Sequence, residues 1–194
     1  ELDNVLTRGV FYAAERLYGI TFELRDDLPV YHETVRVWEV RNADDSVLAL
    51  FVEDMYARAS KRGGAWAMSY VSQSGLMGTQ PVSANHLNIP RPPAGEPTLL
   101  TWDEVTTLFH EFGHALHFFS SHVKYPTLNS GVRDYTEFQS QLLERWLSTD
   151  EVIKTYLVHN KTGEPMPATL IQKIKNAATF NQGFSTTEYL ASAL

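Results

Sequence analysis

The segment His110-Glu-Phe-Gly-His114 contains two histidines four positions apart, with a glutamate directly after the first. Residues four apart in an α-helix differ by only about 40° around the helix axis, so both imidazoles would project from one face. Neutral imidazole is a common zinc ligand, and two histidines leave room for a third protein ligand and a water molecule. The spacing therefore predicts one Zn²⁺ ion bound by His110 and His114.

Glu111 stands beside the first predicted ligand, where its carboxylate can reach a water molecule without binding the metal itself. A glutamate in this position can take the proton from a water molecule that attacks a carbonyl carbon. A zinc site that only stabilises a fold fills all four positions with protein ligands and has no use for such a carboxylate. We therefore predict that Glu111 is the general base of a metal-dependent hydrolase.

The third ligand is predicted to be a carboxylate from the next helix. A histidine ten residues after His110 would indicate another class of zinc peptidase, but that position is Ser120. Asp134 and Glu137 are the nearest acidic residues, and Asp134 suits the start of a helix, where its side chain would accept backbone N–H groups. We therefore favour Glu137, one turn into a helix predicted over residues 134–147.

Two more residues are predicted to lie near the metal without binding it. Glu144 is on nearly the same helix stripe as Glu137 and can orient a ligand histidine, although an exposed salt bridge is the alternative. His117 follows His110 by seven residues. A helix seldom directs three imidazoles at one tetrahedral ion, so we predict a hydrogen-bonding role for His117 near the site.

A capped helix must carry the two histidines. Thr101 and Glu104 have the spacing of a capping box, and apolar residues recur at helical intervals from there to about Phe119. Upstream, residues 35–40, 47–52, 65–71 and 82–89 have the character of strands, and residues 42–46 that of a hairpin turn. These patterns predict an α+β fold, with a small, mainly antiparallel sheet in the N-terminal half and a mostly helical core around the HExxH helix and the glutamate-bearing helix.

The proline-rich segment 90–97 separates the two halves, because proline fixes φ and removes a backbone donor. We predict one catalytic domain with a helix-and-sheet part, 1–98, and a helical zinc-site part, 99–194. Because helical patterns run into both ends of the sequence, we expect the chain to be a piece of a longer protein.

Composition narrows the classes of partner. The chain has 16 basic and 23 acidic residues, and this acidic balance argues against a nucleic-acid-binding protein, which usually needs a basic face. No apolar run approaches the roughly 20 residues that span a membrane. Cysteine is absent, so thiolate ligands and disulfides are excluded. We predict a monomer without nucleic-acid or membrane partners, in the cytoplasm, with the periplasm as the alternative.

The motif HEFGHALH at 110–117 is followed by Tyr-Pro at 125–126, Arg-Asp-Tyr at 133–135 and Glu-Phe-Gln-Ser-Gln at 137–141. This succession resembles the thimet oligopeptidase family of zinc metallopeptidases, and in particular its bacterial peptidyl-dipeptidase branch. The likeness continues through the segments 18–22, 28–32, 35–38, 57–58, 61–66, 93–97 and 180–184. The resemblance implies hydrolysis of short peptides, with zinc bound by His110, His114 and Glu137 and with Glu111 as general base.

The resemblance also implies that the strand beginning with Gly63, Gly64, Ala65 and Trp66 pairs with an extended peptide substrate. A strand edge beside a metal suits peptide backbone, and glycines permit close approach of another main chain. The alternative is that the two glycines only form a turn. The family's downstream histidine and tyrosines, which hold the substrate, and its N-terminal helical cap are expected outside this chain.

The function predicted from the sequence is therefore a zinc-dependent oligopeptidase or peptidyl-dipeptidase. Two alternatives stay open: a catalytically incompetent piece of such an enzyme, and a zinc-stabilised module that binds peptides without cleaving them. Cleavage inside a peptide and release of dipeptides from its end are not distinguished by these residues.

Overall fold

The computed structural model describes residues 1–129 and 131–193. They form two compact units, one over Glu1–Tyr156 and a second that begins at Leu157. None of the helices in these described ranges combines the length and the apolar character that crossing a membrane requires. The predicted assignment of 1–98 and 99–194 to one catalytic domain stays a prediction.

The first unit opens with helical residues. Helix α1 (Leu2–Val5) passes through a stretch of π-helix (Leu6–Phe11) into α2 (Tyr12–Tyr18). The helix ends at Gly19, whose φ of 69° lies in the left-handed region where glycine is favoured.

A five-stranded sheet follows. Its strands are β1 (Thr21–Leu24), β2 (Arg36–Arg41), β3 (Val47–Tyr56), β4 (Trp66–Val71) and β5 (Val82–Ile89), in the spatial order β1-β2-β3-β5-β4. The turn between β2 and β3 is confirmed as a hairpin, in which the backbone N–H of Asn42 donates to the carbonyl oxygen of Ser46 at 2.9 Å.

The prediction of a mainly antiparallel sheet is wrong, because the sheet is mixed. Strand β5 enters between β3 and β4, pairs with β4 in the antiparallel sense and runs parallel to β3. The chain therefore places β4 at the edge first and returns to fill the position beside β3. Strand patterns in a sequence mark each strand but not its neighbours, so this order could not be seen from the pattern.

Helix α3 (Trp102–Phe119) packs against the sheet and contains both His110 and His114. The predicted capping box is confirmed: the Glu104 backbone N–H donates to the Thr101 hydroxyl at 3.2 Å, and the Thr101 N–H donates to the Glu104 carboxylate at 2.7 Å. On the buried face, the ring of Phe112 lies 5.2 Å from that of Phe51 in an edge-to-face contact. This aromatic packing fixes the rotation of α3 about its axis.

The helix predicted over 134–147 is shorter than expected. It is divided into a 3₁₀ turn (Arg133–Tyr135), helix α4 (Phe138–Glu144) and a second 3₁₀ turn (Trp146–Ser148), and α5 (Asp150–Tyr156) follows. Glu137 is the N-cap of α4, so the predicted cap at Asp134 is wrong and Glu137 precedes the helix. Apolar spacing does not distinguish one helix from consecutive short turns that bury the same residues.

The second unit contains α6 (Ala168–Ala177) and α7 (Gln182–Ala193). Asn181, with a φ of 57°, lies in the left-handed conformation immediately before α7 and interrupts the helical path.

Candidate metal centre

Three side chains predicted to bind metal meet on the exposed side of α3. One carboxylate oxygen of Glu137 lies 3.1 Å from the Nε2 atom of His110 and 3.1 Å from the Nε2 atom of His114. The three donor atoms all lie within 4.8 Å of one another. Asp134 is not in this group of three.

The donor group has the chemistry and spacing that zinc requires. Zinc bonds of about 2.0–2.2 Å in a tetrahedral arrangement place neighbouring ligand atoms about 3.3 Å apart. The 3.1 Å separations between Glu137 and each imidazole are close to that value. Two imidazole nitrogens with one carboxylate oxygen also leave a fourth position open, as in catalytic zinc sites.

Neighbouring side chains fix the orientation of these donors. The Nδ1 atom of His110 lies 2.6 Å from a carboxylate oxygen of Glu144, so Nε2 is the ring nitrogen left to face a cation. The hydroxyl of Ser140 donates to the Glu137 carboxylate at 2.8 Å. That bond, together with the nearby His114 and His110, lowers the pKa of Glu137 and keeps its carboxylate charged near neutral pH.

His114 is kept neutral by its surroundings. Burial lowers the pKa of its imidazole, although the Glu137 carboxylate acts in the opposite direction. A neutral imidazole offers the lone pair that a metal ion needs. His117, one turn further along α3, lies outside the donor group, and its ring stacks beside that of Phe118.

Gly113 allows α3 and α4 to approach closely. A Cβ atom at this position would lie 2.6 Å from the Cα of Ser140 and 2.9 Å from the carbonyl oxygen of Gln139. Carbon atoms in contact are normally about 3.5–4.0 Å apart, so no other residue fits without moving α4. The absence of a side chain at Gly113 therefore sets the distance from α3 to the segment that carries Glu137.

Glu111 lies beside this donor group and faces the sheet. Its side chain is buried, and burial raises the pKa of the carboxylate, with His110 opposing the rise and Glu137 adding to it. The backbone N–H of Ala67, on β4, interacts with the carboxylate and also opposes the rise. The main-chain carbonyl oxygen of Glu111 accepts a hydrogen bond of 2.7 Å from the side-chain amide of Asn85.

The four residues predicted to bind a peptide lie at the start of the edge strand. Gly63 and Gly64 precede β4, and space is open around both. Gly64 has a φ of 84°, and its carbonyl oxygen accepts from the Asn88 side chain at 2.7 Å. Ala65 leads into β4, whose first residue, Trp66, stacks on the ring of His86 at 4.6 Å. Among the described strands, β4 pairs with β5 alone and leaves its other edge open.

Sequence reasoning missed three residues that shape this site: Gly113, Ser140 and Asn85. A glycine inside a strongly patterned helix is a signal of close packing, so Gly113 could have been found. Ser140 and Asn85 carry no comparable signal, because each acts on a residue in another element or just outside its own helix.

Comparison with known proteins identifies the family. The model of Peptidase family M3 matches residues 1–194. The chain belongs to Peptidase family M3. The family assignment from the motif around His110 is thereby confirmed.

Relatives of this M3 chain include bacterial and plant proteins. The dipeptidyl carboxypeptidase of Escherichia coli is 48% identical over all of this chain and 29% of its own length. Oligopeptidase A of Escherichia coli is 38% identical over 92% of this chain and 27% of its own length. An organellar oligopeptidase A of Arabidopsis thaliana is 36% identical over 90% of the chain and 24% of its own length. The chain thus spans less than a third of the length of these relatives.

Proposed function

We propose that the protein is a zinc-dependent peptidase that hydrolyses short peptides. Its zinc ligands are His110, His114 and Glu137, and its general base is Glu111. The observation that carries the proposal is the convergence of three donor atoms within 4.8 Å of one another, beside a buried glutamate. Membership of Peptidase family M3 supports peptide bonds as the target.

Zn²⁺ bound by these ligands would act as a Lewis acid, which polarises a peptide carbonyl and makes a water molecule acidic near neutral pH. Glu111 accepts the proton of the attacking water and then passes it to the leaving amine nitrogen. Burial raises the pKa of the Glu111 carboxylate, which strengthens it as a base towards the attacking water.

The other residues of the site hold the reacting groups in place. Glu144 orients the ring of His110 through Nδ1, and Ser140 orients the carboxylate of Glu137. Neither residue is a proposed ligand, but each hydrogen bond restricts the orientation of the ligand that it contacts. His117 is proposed to contribute a hydrogen bond at the rim of the site.

The open edge of β4 is proposed to bind the substrate. An extended peptide would add to the sheet beside β4, with Gly63, Gly64, Ala65 and Trp66 at one end of its path. This path passes Ala67, which pairs with Asn85 on β5, and the Asn85 side chain bonds the Glu111 main chain. The relatives named dipeptidyl carboxypeptidase and oligopeptidase A support short peptides as substrates, and the proposal covers both modes of cleavage.

The test is Glu111→Gln in the protein expressed from its complete coding sequence. We expect kcat on a quenched fluorescent peptide to fall about 10²- to 10⁴-fold, because the amide cannot accept the proton. Zinc content, measured by atomic spectroscopy, should equal that of the parent. Glu23→Gln, at an exposed position on β1, is the matched control and should keep the parental kcat.

Each outcome separates the alternatives. Activity retained in Glu111→Gln would contradict the assignment of the general base. A parent that binds zinc and peptide but cleaves nothing would instead support the zinc-stabilised binding module. Cytoplasmic location and a monomeric state stay predictions.

A further inference from the structure

Asn85 links the sheet to the helix that carries the proposed base. It lies on β5, its side chain is fully buried, and its amide nitrogen donates to the main-chain oxygen of Glu111 at 2.7 Å. A carbonyl at this point of an α-helix already accepts a hydrogen bond within the helix. Its second lone pair takes the bond from Asn85, so this contact is additional to those that form α3.

The side-chain carbonyl group of Asn85 is unfavourable for the stability of the fold. Its carbonyl oxygen is buried and has no hydrogen-bond partner among the described residues. A buried acceptor without a partner destabilises the fold, because it loses the hydrogen bonds that water gives it in the unfolded chain. An apolar residue of similar volume would remove this cost. Packing therefore does not explain an asparagine here, whereas the bond to Glu111 does.

Asn85 also joins Glu111 to the strand beside the open edge. Ala67 on β4 is the direct partner of Asn85 in the pairing of β4 with β5. The Asn85 amide bonds the Glu111 main chain, so the helix that carries Glu111 is joined to the strand that pairs with β4.

We propose that Asn85 is a positioning residue that fixes the Glu111 carboxylate relative to the open edge of β4. The inference rests on the proposed function, because it assumes that a peptide lies along this edge. Without the bond, α3 can shift along the sheet together with the Glu137 segment that packs against Gly113, so the three ligands keep their spacing. A displacement of about 1 Å at a reacting group can lower the rate about 100-fold.

The experiment compares Asn85→Ala and Asn85→Leu with Ser83→Ala in the protein expressed from its complete coding sequence. Ser83 is the matched control: it lies two residues earlier on β5, is fully buried, and its hydroxyl has no partner among the described residues. Both Asn85 variants remove the bond, and leucine also fills most of the volume. Peptide hydrolysis, zinc content and thermal unfolding are measured for each.

We expect kcat of the Asn85 variants to fall about 10- to 100-fold, with KM within about threefold of the parent, because the ligands and the strand edge are untouched. Zinc content should be parental, and Ser83→Ala should keep the parental kcat. A merely structural role would instead lower zinc content and thermal stability together with the rate.

A folded Asn85 variant whose kcat stays within about threefold of the parent overturns the inference. So does a loss of kcat that follows a loss of zinc, or a failure of both variants to fold, since either assigns Asn85 to stability. The Glu111→Gln variant, measured in the same assays, shows which of the two proposals fails. If Glu111→Gln is inactive and the Asn85 variants are fully active, only the inference about Asn85 fails.

Discussion

Gly113→Ala tests whether the close contact between α3 and α4 builds the metal centre. The added Cβ atom would lie 2.6 Å from the Cα of Ser140. An ordinary contact is about 3.5–4.0 Å, so α4 must retreat by about 1 Å. Glu137 directly precedes α4 and moves with it. Its carboxylate oxygen, now 3.1 Å from each imidazole nitrogen, would then lie about 4 Å away, whereas metal–ligand distances tolerate only about 0.2 Å.

The variant should lose zinc without losing its fold. Removing a contact outside the ligand set costs about 10- to 100-fold in metal affinity, and displacing a ligand should cost at least about 100-fold. Overpacking lowers stability by about 1–3 kcal/mol. Replacing a glycine by alanine inside a helix raises stability by about 1 kcal/mol, because alanine has the higher helix propensity. The net loss of about 0–2 kcal/mol is small against the usual stability of a domain, about 5–15 kcal/mol.

Zinc affinity is measured by competition with a chromogenic chelator, and folding by circular dichroism and urea titration. Gly183→Ala is the matched control, because Gly183 also lies in a helix but has no atom within 4 Å of the position of an added Cβ. It should keep the parental zinc affinity. Parental zinc affinity in folded Gly113→Ala would refute the reasoning, since it would show that the Glu137 position does not depend on this contact.

Two further predictions concern neighbouring charges. Glu144→Ala should lower zinc affinity about 10- to 100-fold in the same competition assay, because His110 loses the partner of its Nδ1 atom; an unchanged affinity would remove Glu144 from the site. Asp54→Ala should lower the free energy of unfolding, measured by urea titration at pH 7, by about 3–5 kcal/mol, because the buried ammonium group of Lys61 loses its carboxylate partner. Burial alone would raise the pKa of Asp54, but hydrogen bonds from Arg58 and Lys61 outweigh it and lower the pKa below the usual 3.8. The stabilisation by Asp54 is therefore present above pH 3.8 and is lost as the pH falls below it. A difference in the free energy of unfolding between variant and parent that persists at low pH would contradict this explanation.

Local structure was readable from the sequence because it depends on residues close together in the chain. The capping box of α3 is formed by Thr101 and Glu104, three residues apart. The hairpin between β2 and β3 is set by the turn at 42–46. The spacing of His110 and His114 by itself places both imidazoles on one side of a helix. The proposed class of chemistry rests on that spacing and on the adjacent Glu111.

Only the tertiary structure decided how these pieces meet. The entry of β5 between β3 and β4 depends on pairings between distant segments, which a local pattern does not encode. The same holds for the contact of Gly113 with Ser140, which sets where Glu137 lies, and for the bond from Asn85 to Glu111. Spacing along a chain determines which face a side chain occupies, but the distance between two faces is set by the packing of side chains remote in sequence.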